Sequence, residues 1–319
     1  MSVNVVYQVM HDTLYHYQSP VSLSRQILRL TPRQLPWQDV LASHIDIEPQ
    51  PARIHTMRDA FGNEVLSFCL EQEHTELAFR ARSRVQVKPR YLPASSVDLP
   101  LEEVSEFYRF KSGRHYSASD FEAIKFLYES AHVRVKRVFA DWAREIMFPG
   151  QSLCDFIRAL QGRIYSDFTF DPAATTVSTP VTEVFGHRKG VCQDFAHLML
   201  SCLRSVGLAA RYVSGYILTH PPEGQARLVG ADASHAWVSV YLPGFGWVDS
   251  DPTNNIFVNT EHITLSWGRD YADISPVRGM MIGSGAHTLD IAVTVYPQDE
   301  AKMVNGGYPV NFPGKGQVR

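Results

Sequence analysis

Phe195, Leu198, Met199, Cys202, Leu203 and Val206 fall at relative positions 0, 3, 4, 7, 8 and 11, one face of an α-helix that Gly207 stops. A helix with so wide an apolar face must be covered by another layer, so the surrounding chain has to supply a sheet or more helices. Gly190-Val191-Cys192 places a thiol at the start of this helix. There the first N–H groups have no intrahelical acceptor and the helix dipole favours an anion, so a thiolate is stabilised. Cys202 lies on the apolar face and reads as core.

Strand patterns follow the helix at about residues 210–218, 236–242 and 246–251. The last two flank Pro243-Gly244-Phe245-Gly246, a tight connection that makes them an antiparallel hairpin. With its centre near Gly244 and Phe245, Val238 is expected to pair roughly with Asp251, leaving His235 and Asp251 near the open end. Upstream, residues 3–89 hold strand-length runs such as Ile27–Leu30, Ser43–Ile47 and Ser83–Val87, with Asp59–Asn63 as a structural turn. The pattern becomes helical over about 99–148, with Ser119 as N-cap and Phe121, Ile124, Leu127 and Tyr128 at helical spacing. After a break at Met147–Gly150, Ser152 and Asp155 form a capping box for a helix burying Leu153, Phe156, Ile157, Leu160 and Ile164. Leu289, Ile291, Val293 and Val295 alternate as one more strand. The expected fold class is α+β. Residues 1–92 form a sandwich-like all-β domain, 93–150 a helical brace, 151–297 a core and 298–319 a mobile tail.

Composition narrows the function classes. With 319 residues, 45% of them hydrophobic, the chain can fill real cores. Thirty basic against 33 acidic side chains, a formal charge of −3, produce no field that would gather nucleic acid or an anionic membrane. No apolar run reaches the roughly 18 residues that suggest a membrane span. Cys69, Cys154, Cys192 and Cys202 contain no CxxC pair, so neither a disulfide framework nor a zinc site is expected, and a reducing cytoplasm suits them. There is no nucleotide-binding glycine pattern and no EF-hand loop, and no cofactor is expected.

Nucleophilic attack on an amide requires a thiolate, a base, a group that orients the base, and donors for the oxyanion. Cys192 supplies the first, and His235, at a strand start after a polar loop containing Asp232, the second. Asp251, held extended by Pro252, is a candidate for the third, with Asp249 its competitor on the same strand face. Oxyanion and cleft candidates are the Cys192 N–H, Gln193, Tyr165 and Trp237. A metal held by Cys192, Asp194 and His197 is disfavoured, because these project at about 0°, 200° and 140° around the helix. Asp194 in the first helical turn suits the dipole instead.

Four ordered blocks then carry a resemblance: Gly190-Val191-Cys192-Gln193-Asp194-Phe195-Ala196, Arg211–Tyr216, His235-Ala236-Trp237-Val238, and Gly246–Asn254 with its Asp251-Pro252-Thr253-Asn254. Together they resemble the core of the bacterial transglutaminase-like superfamily, of the cysteine protease type. His11–Pro32 and Arg58–Asn63 are similar to its N-terminal region, and Gly268–Tyr271 to its C-terminal signature. The resemblance implies a papain-like core, with the cysteine helix on an antiparallel sheet. It also implies Cys192 as nucleophile, His235 as base and Asp251, before Pro-Thr-Asn, as the orienting carboxylate. The implied substrate is a protein or peptide amide, attacked to give a thioester. Hydrolysis is the favoured outcome. Transfer to a primary amine acceptor, or a non-catalytic binding module on the same fold, are the alternatives.

Overall fold

The computed structural model describes residues 4–109, 113, 115–220, 234–283 and 285–298. Its N-terminal part is organised by one very long strand, β1 (Val5–Leu28), with β2 (Gln38–Glu48), β3 (Ile54–Arg58), β4 (Glu64–Leu70) and β5 (His74–Val87). β5 pairs with the first half of β1 and β4 with the second, and β2 and β3 flank β5 and β4. The pairing of β1 with β5 shifts register between His16 and Val21, around Pro20, where a ladder is readily interrupted. The result is a curved half-barrel of one sheet, where the sequence suggested a sandwich. Tyr17, Leu28, Leu30, Phe68, Leu77 and Phe79 fill its hollow. The Asp59–Asn63 turn is structural, as expected: Asp59 Oδ1 accepts from the Phe61 and Asn63 N–H groups, and Gly62 takes φ +73°.

The segment expected to be helical forms three short helices, α1 (Leu101–Phe107), α2 (Ala118–Ile124) and α3 (Arg137–Arg144). Ser117, two residues before the expected Ser119, caps α2 in a capping box with Asp120. Phe121 and Tyr128 are 61% and 63% exposed, so the helical spacing there did not mark a core face; Asp120, Ala123 and Phe126 are the buried residues. α4 (Leu153–Asp167) starts at Ser152, whose hydroxyl accepts from the Asp155 N–H, and all five expected apolar side chains are fully buried. After β6 (Thr169–Phe170), α5 (Val181–His187) and β7 (Lys189–Gly190) comes the helix that the sequence signalled most strongly, α6 (Cys192–Ser205).

α6 packs on an antiparallel sheet ordered β11-β10-β9-β8-β12, formed by β8 (Ala210–Ile217), β9 (Ser234–Leu242), β10 (Gly246–Asp251), β11 (Ile256–Phe257) and β12 (His262–Gly268). Leu198, Met199, Cys202 and Leu203 from the helix meet Ala210, Ala236, Val238 and Val240 from the sheet in one core. The hairpin register differs by one residue from expectation: Val238 pairs with Ser250. That single step decides which side chains meet, because a one-residue slip moves every side chain to the other face. Pairing Val238 with Asp251 would have set Asp251 on the face opposite His235, whereas the observed register places both on the same face.

α7 (Tyr271–Ile274) precedes β13 (Val277–Gly283) and β14 (His287–Pro297). Both strands lie within the range assigned to the core, yet they pair with β1: Tyr7↔Pro297 through Tyr17↔His287, and Leu28↔Val277 through Val21↔Gly283. They complete a seven-stranded sheet with the N-terminal strands. Alternation revealed a strand at 287–297 but could not name its partner, because pairing is decided by tertiary context. The tail beyond residue 298 lies outside the described residues.

Candidate active site

The start of α6 is built tightly. A Cβ on Gly190 would sit 2.8 Å from Asp194 Cβ and Oδ2, so only glycine lets the chain pass this close to the first helical turn. Asp194 is buried, and its Oδ2 accepts from the Val191 N–H at 2.9 Å and from Thr175 Oγ1 at 2.6 Å. It fixes the approach to Cys192, the structural role expected of it. His197 is buried under His132 and accepts the Tyr271 N–H on Nε2 at 3.2 Å. Asp194 and His197 are thus committed elsewhere, and the disfavoured metal reading of this helix gains nothing. Cys192 is half-buried at the helix start, whereas burial pushes the Cys154 thiol up to about 12 and the Cys202 thiol higher still.

His235 Nε2 lies 2.7 Å from Asp251 Oδ2, and the ring shares its cleft with Cys192, which is near enough to act on it. Burial drives His235 towards the neutral form, but its bonds to Asp251 and Cys192 outweigh this and raise it to about 10. Asp251 is completely buried, which alone would raise its carboxyl; the imidazoles of His235 and His262 nevertheless hold it far below the usual range. Asn254 Nδ2 donates to Oδ2 at 2.7 Å, and the Thr253 and Asn254 N–H groups donate to Oδ1. His262 Nε2 adds a contact to Oδ2 at 3.2 Å. The ligand atoms of His235, Asp251 and His262 lie within 4.8 Å of one another, a geometry that could hold an ion, but these hydrogen bonds account for it without one. Asp249 belongs to a different network, with Arg90 Nη1 and the Trp237 indole N–H both on its Oδ2.

Cys192 and His235 open into a cleft of about 300 Å³. One wall is the core: Val191, Gln193, Tyr212, Ser214 and Tyr271. The other is the half-barrel: His11, Thr13 and Tyr15 from β1, with Leu289 and Ile291 from β14. Thr13 pairs with Ile291 and Tyr15 with Leu289, so these form rows on one sheet face. A larger depression of about 640 Å³ over Arg25, His55 and Cys69 lies on the N-terminal sheet, away from Cys192. Of the oxyanion and cleft candidates, Gln193 lines the cleft and its side chain donates to the Val177 carbonyl. Tyr165 is 56% exposed and does not line the cleft. Trp237 lies buried beside His235, its indole N–H spent on Asp249. Asp232 falls outside the described residues.

Residues 7–86 match the bacterial transglutaminase-like N-terminal region, and residues 140–252 match the transglutaminase-like superfamily core. An uncharacterized protein of Mycobacterium tuberculosis is 37% identical over 296 residues, covering 91% of this chain and 92% of its own. The chain belongs to the transglutaminase-like superfamily. A solved structure from Cytophaga hutchinsonii, provisionally named a cysteine protease, superposes with a TM-score of 0.74 at 18% identity, covering 93% of this chain and 92% of that one. A protein-glutamine gamma-glutamyltransferase of Pseudomonas aeruginosa is 34% identical over 107 residues, 31% of this chain and 16% of its own.

Membership in the transglutaminase-like superfamily supports a cysteine-based enzyme, and it makes the residues that sequence reasoning passed over easier to place. His262 and Asn254 complete the hydrogen bonding of Asp251. Asn254 stood in the quoted motif, but nothing in the local pattern around Glu261-His262 distinguished His262 from a surface histidine. The half-barrel wall of the transglutaminase-like cleft was equally hidden, because it depends on how the two parts of the chain pack.

Proposed function

We propose that this protein hydrolyses an amide bond in a protein or peptide through a thioester on Cys192. The observation that carries this reading is the His235 imidazole, bonded to Asp251 and sharing with Cys192 the cleft at the start of α6. In the reaction, Cys192 Sγ attacks the carbonyl carbon, and the tetrahedral intermediate collapses as the His235 imidazolium gives its proton to the leaving amine. Neutral His235 then takes a proton from water, whose oxygen attacks the thioester. Collapse releases the acid and returns the proton to the Cys192–His235 pair. Asp251 holds the ring and stabilises the imidazolium throughout.

Water is preferred to an amine as the second nucleophile because no carboxylate lines the cleft among the described residues. A protonated lysine would find no counter-charge there, since Asp249 is paired with Arg90. Water at about 55 M is overtaken only by an amine that a site binds and orients. Transamidation is the second reading, favoured by the similarity to the Pseudomonas aeruginosa gamma-glutamyltransferase over the core. The test is a peptide amide offered with increasing primary amine, the products partitioned by mass spectrometry and Cys192→Ala as control. Hydrolysed product dominating at millimolar amine is expected. Predominant amine adduct would replace the hydrolase reading with the transferase one, and turnover by Cys192→Ala would remove both.

A further inference from the structure

An acyl-transfer site of this kind needs two donors for the oxygen that becomes negative when sulfur adds to the carbonyl. One set is at hand, since the first N–H groups of α6 lie beyond the reach of the helix's own carbonyls. The second donor has to be a side chain on the cleft whose hydrogen is not already spent. The Trp237 indole is spent on Asp249, the Gln193 amide donates to Val177, and Tyr165 is off the cleft. The other cleft hydroxyls are those of Thr13 and Tyr15 on the half-barrel wall, and of Tyr212, Ser214, Ser234 and Tyr271 on the core wall, where Ser234 is exposed and Tyr271 Oη already accepts from Ser275.

Among these, Tyr212 combines a long, rigid side chain with a place beside the start of α6. It stands on β8 on the sheet face that packs against α6, so its ring runs beside the helix that begins with Cys192. The ring is fixed, with the His197 ring 5.0 Å away and the Tyr271 ring 6.4 Å away, centroid to centroid. His197 is itself anchored by the Tyr271 backbone N–H. Only 2% of Tyr212 is exposed, it lines the cleft with Cys192, and no hydrogen bond to its hydroxyl is made among the described residues. We propose that the Tyr212 hydroxyl is the second oxyanion donor of this active site, completing its hole with the N–H groups at the start of α6. The proposal rests on Cys192 being the nucleophile.

The chemistry balances without a proton changing hands at Tyr212. As the Cys192 S–C bond forms, the carbonyl π pair moves onto oxygen, and that oxygen accepts the Tyr212 O–H as a hydrogen bond. As the intermediate collapses the pair returns, the C–N bond breaks, and the amine leaves with its proton from His235. Tyr212 must remain a neutral phenol for this, and burial first, then the nearby charge of Cys192, hold it well above the usual tyrosine range. A donor that keeps its proton and sits in a dry, fixed position gains strength as charge develops on its partner.

The test separates oxyanion stabilisation from thiol positioning. Tyr212→Phe removes one oxygen and leaves the ring. Two rates are measured on Cys192: acylation by p-nitrophenyl acetate, whose transition state carries an oxyanion, and alkylation by iodoacetamide, a displacement at carbon that carries none. Acylation is expected to fall by about 10²-fold or more while alkylation stays within about twofold. Because both rates are read on the same thiol, their ratio decides even if the variant is less stable. Acylation unchanged overturns the proposal, and so does a parallel fall in both rates, which would make Tyr212 a positioning residue. Failure of the wild-type protein to be acylated at Cys192 would overturn the hydrolase reading first and this proposal with it.

Discussion

Asp251 has both oxygens fully occupied, by two imidazoles, one side-chain amide and two backbone N–H groups. Asp251→Asn keeps the shape but presents an N–H or a neutral oxygen to His235, so turnover of an amide substrate should fall by roughly 10³- to 10⁴-fold with the fold intact. Steady-state kinetics beside circular dichroism check this. The same pair sets a pH dependence. His235 is raised from 6.5 to about 10, so its contribution to stability is full below pH 6.5 and is lost as pH rises through 10. Asp251 is depressed from 3.8, so its contribution is present above that value and is lost as pH falls further. The stability gap between wild type and Asp251→Asn should therefore be widest between about pH 4 and 6.5 and shrink by pH 10, as urea melts at both ends would show. Asp249→Asn should behave oppositely, with little change in turnover per folded molecule. It should cost about 3 kcal/mol of stability, because it leaves the nearly buried Arg90 guanidinium without its ion pair. Alternation along the strand could not separate Asp249 from Asp251, since both point to one face. The motif ending in Pro252-Thr253-Asn254 separated them, and Arg90, 159 residues away, could not have been found by any local pattern.

At the scale of single elements, α6 was legible because its apolar period, its glycine stop and its thiol all agree on one helix, and local and tertiary preferences coincide there. α2 was read two residues late. Ser117 and Ser119 are both good caps, and the choice is made by Asp120, which accepts the Ser117 N–H and also the Tyr241 hydroxyl from the distant sheet. The hairpin register was off by one because a four-residue connection admits more than one centre. The approach to α6 yields a prediction of its own. Gly190→Ala places a Cβ where Asp194 already stands, so either the aspartate or the chain must shift. The variant should lose about 1–3 kcal/mol and alkylate more slowly at Cys192, read by a thermal melt and by peptide mapping after brief iodoacetamide treatment. In the wild type, Cys192 should label ahead of Cys154 and Cys202, whose buried thiols are held in the protonated form.

Across the whole molecule, no helix of the described residues is long and apolar enough to cross a membrane. The half-barrel and the core are joined by more than a linker. Tyr7, Val9, Val85 and Val87 share an apolar cluster with Tyr216, Leu218, Ile263 and Leu265. Asn63 bonds both the N–H and the carbonyl of Trp267, and Gln38 does the same at Thr264. A single proteolytic cut within residues 93–150 should therefore leave two fragments that co-elute in size-exclusion chromatography and retain Cys192 reactivity. Separation of the fragments in native buffer would show that the interface is weaker than these contacts indicate.

One of the two edges of β1 is covered only by β13 and β14, strands that leave the ribosome more than 240 residues after it. During synthesis the first five strands must wait with one flank of β1 open, while the helix and sheet that carry Cys192 are made and closed. Until residues 277–297 arrive, the cleft lacks Leu289, Ile291 and Val277, and the nascent thiol faces only the part of the opposite wall that β1 supplies. Completion of the cleft therefore waits on β13 and β14, and a chain stalled before β13 carries the Cys192 helix beside an unfinished cleft.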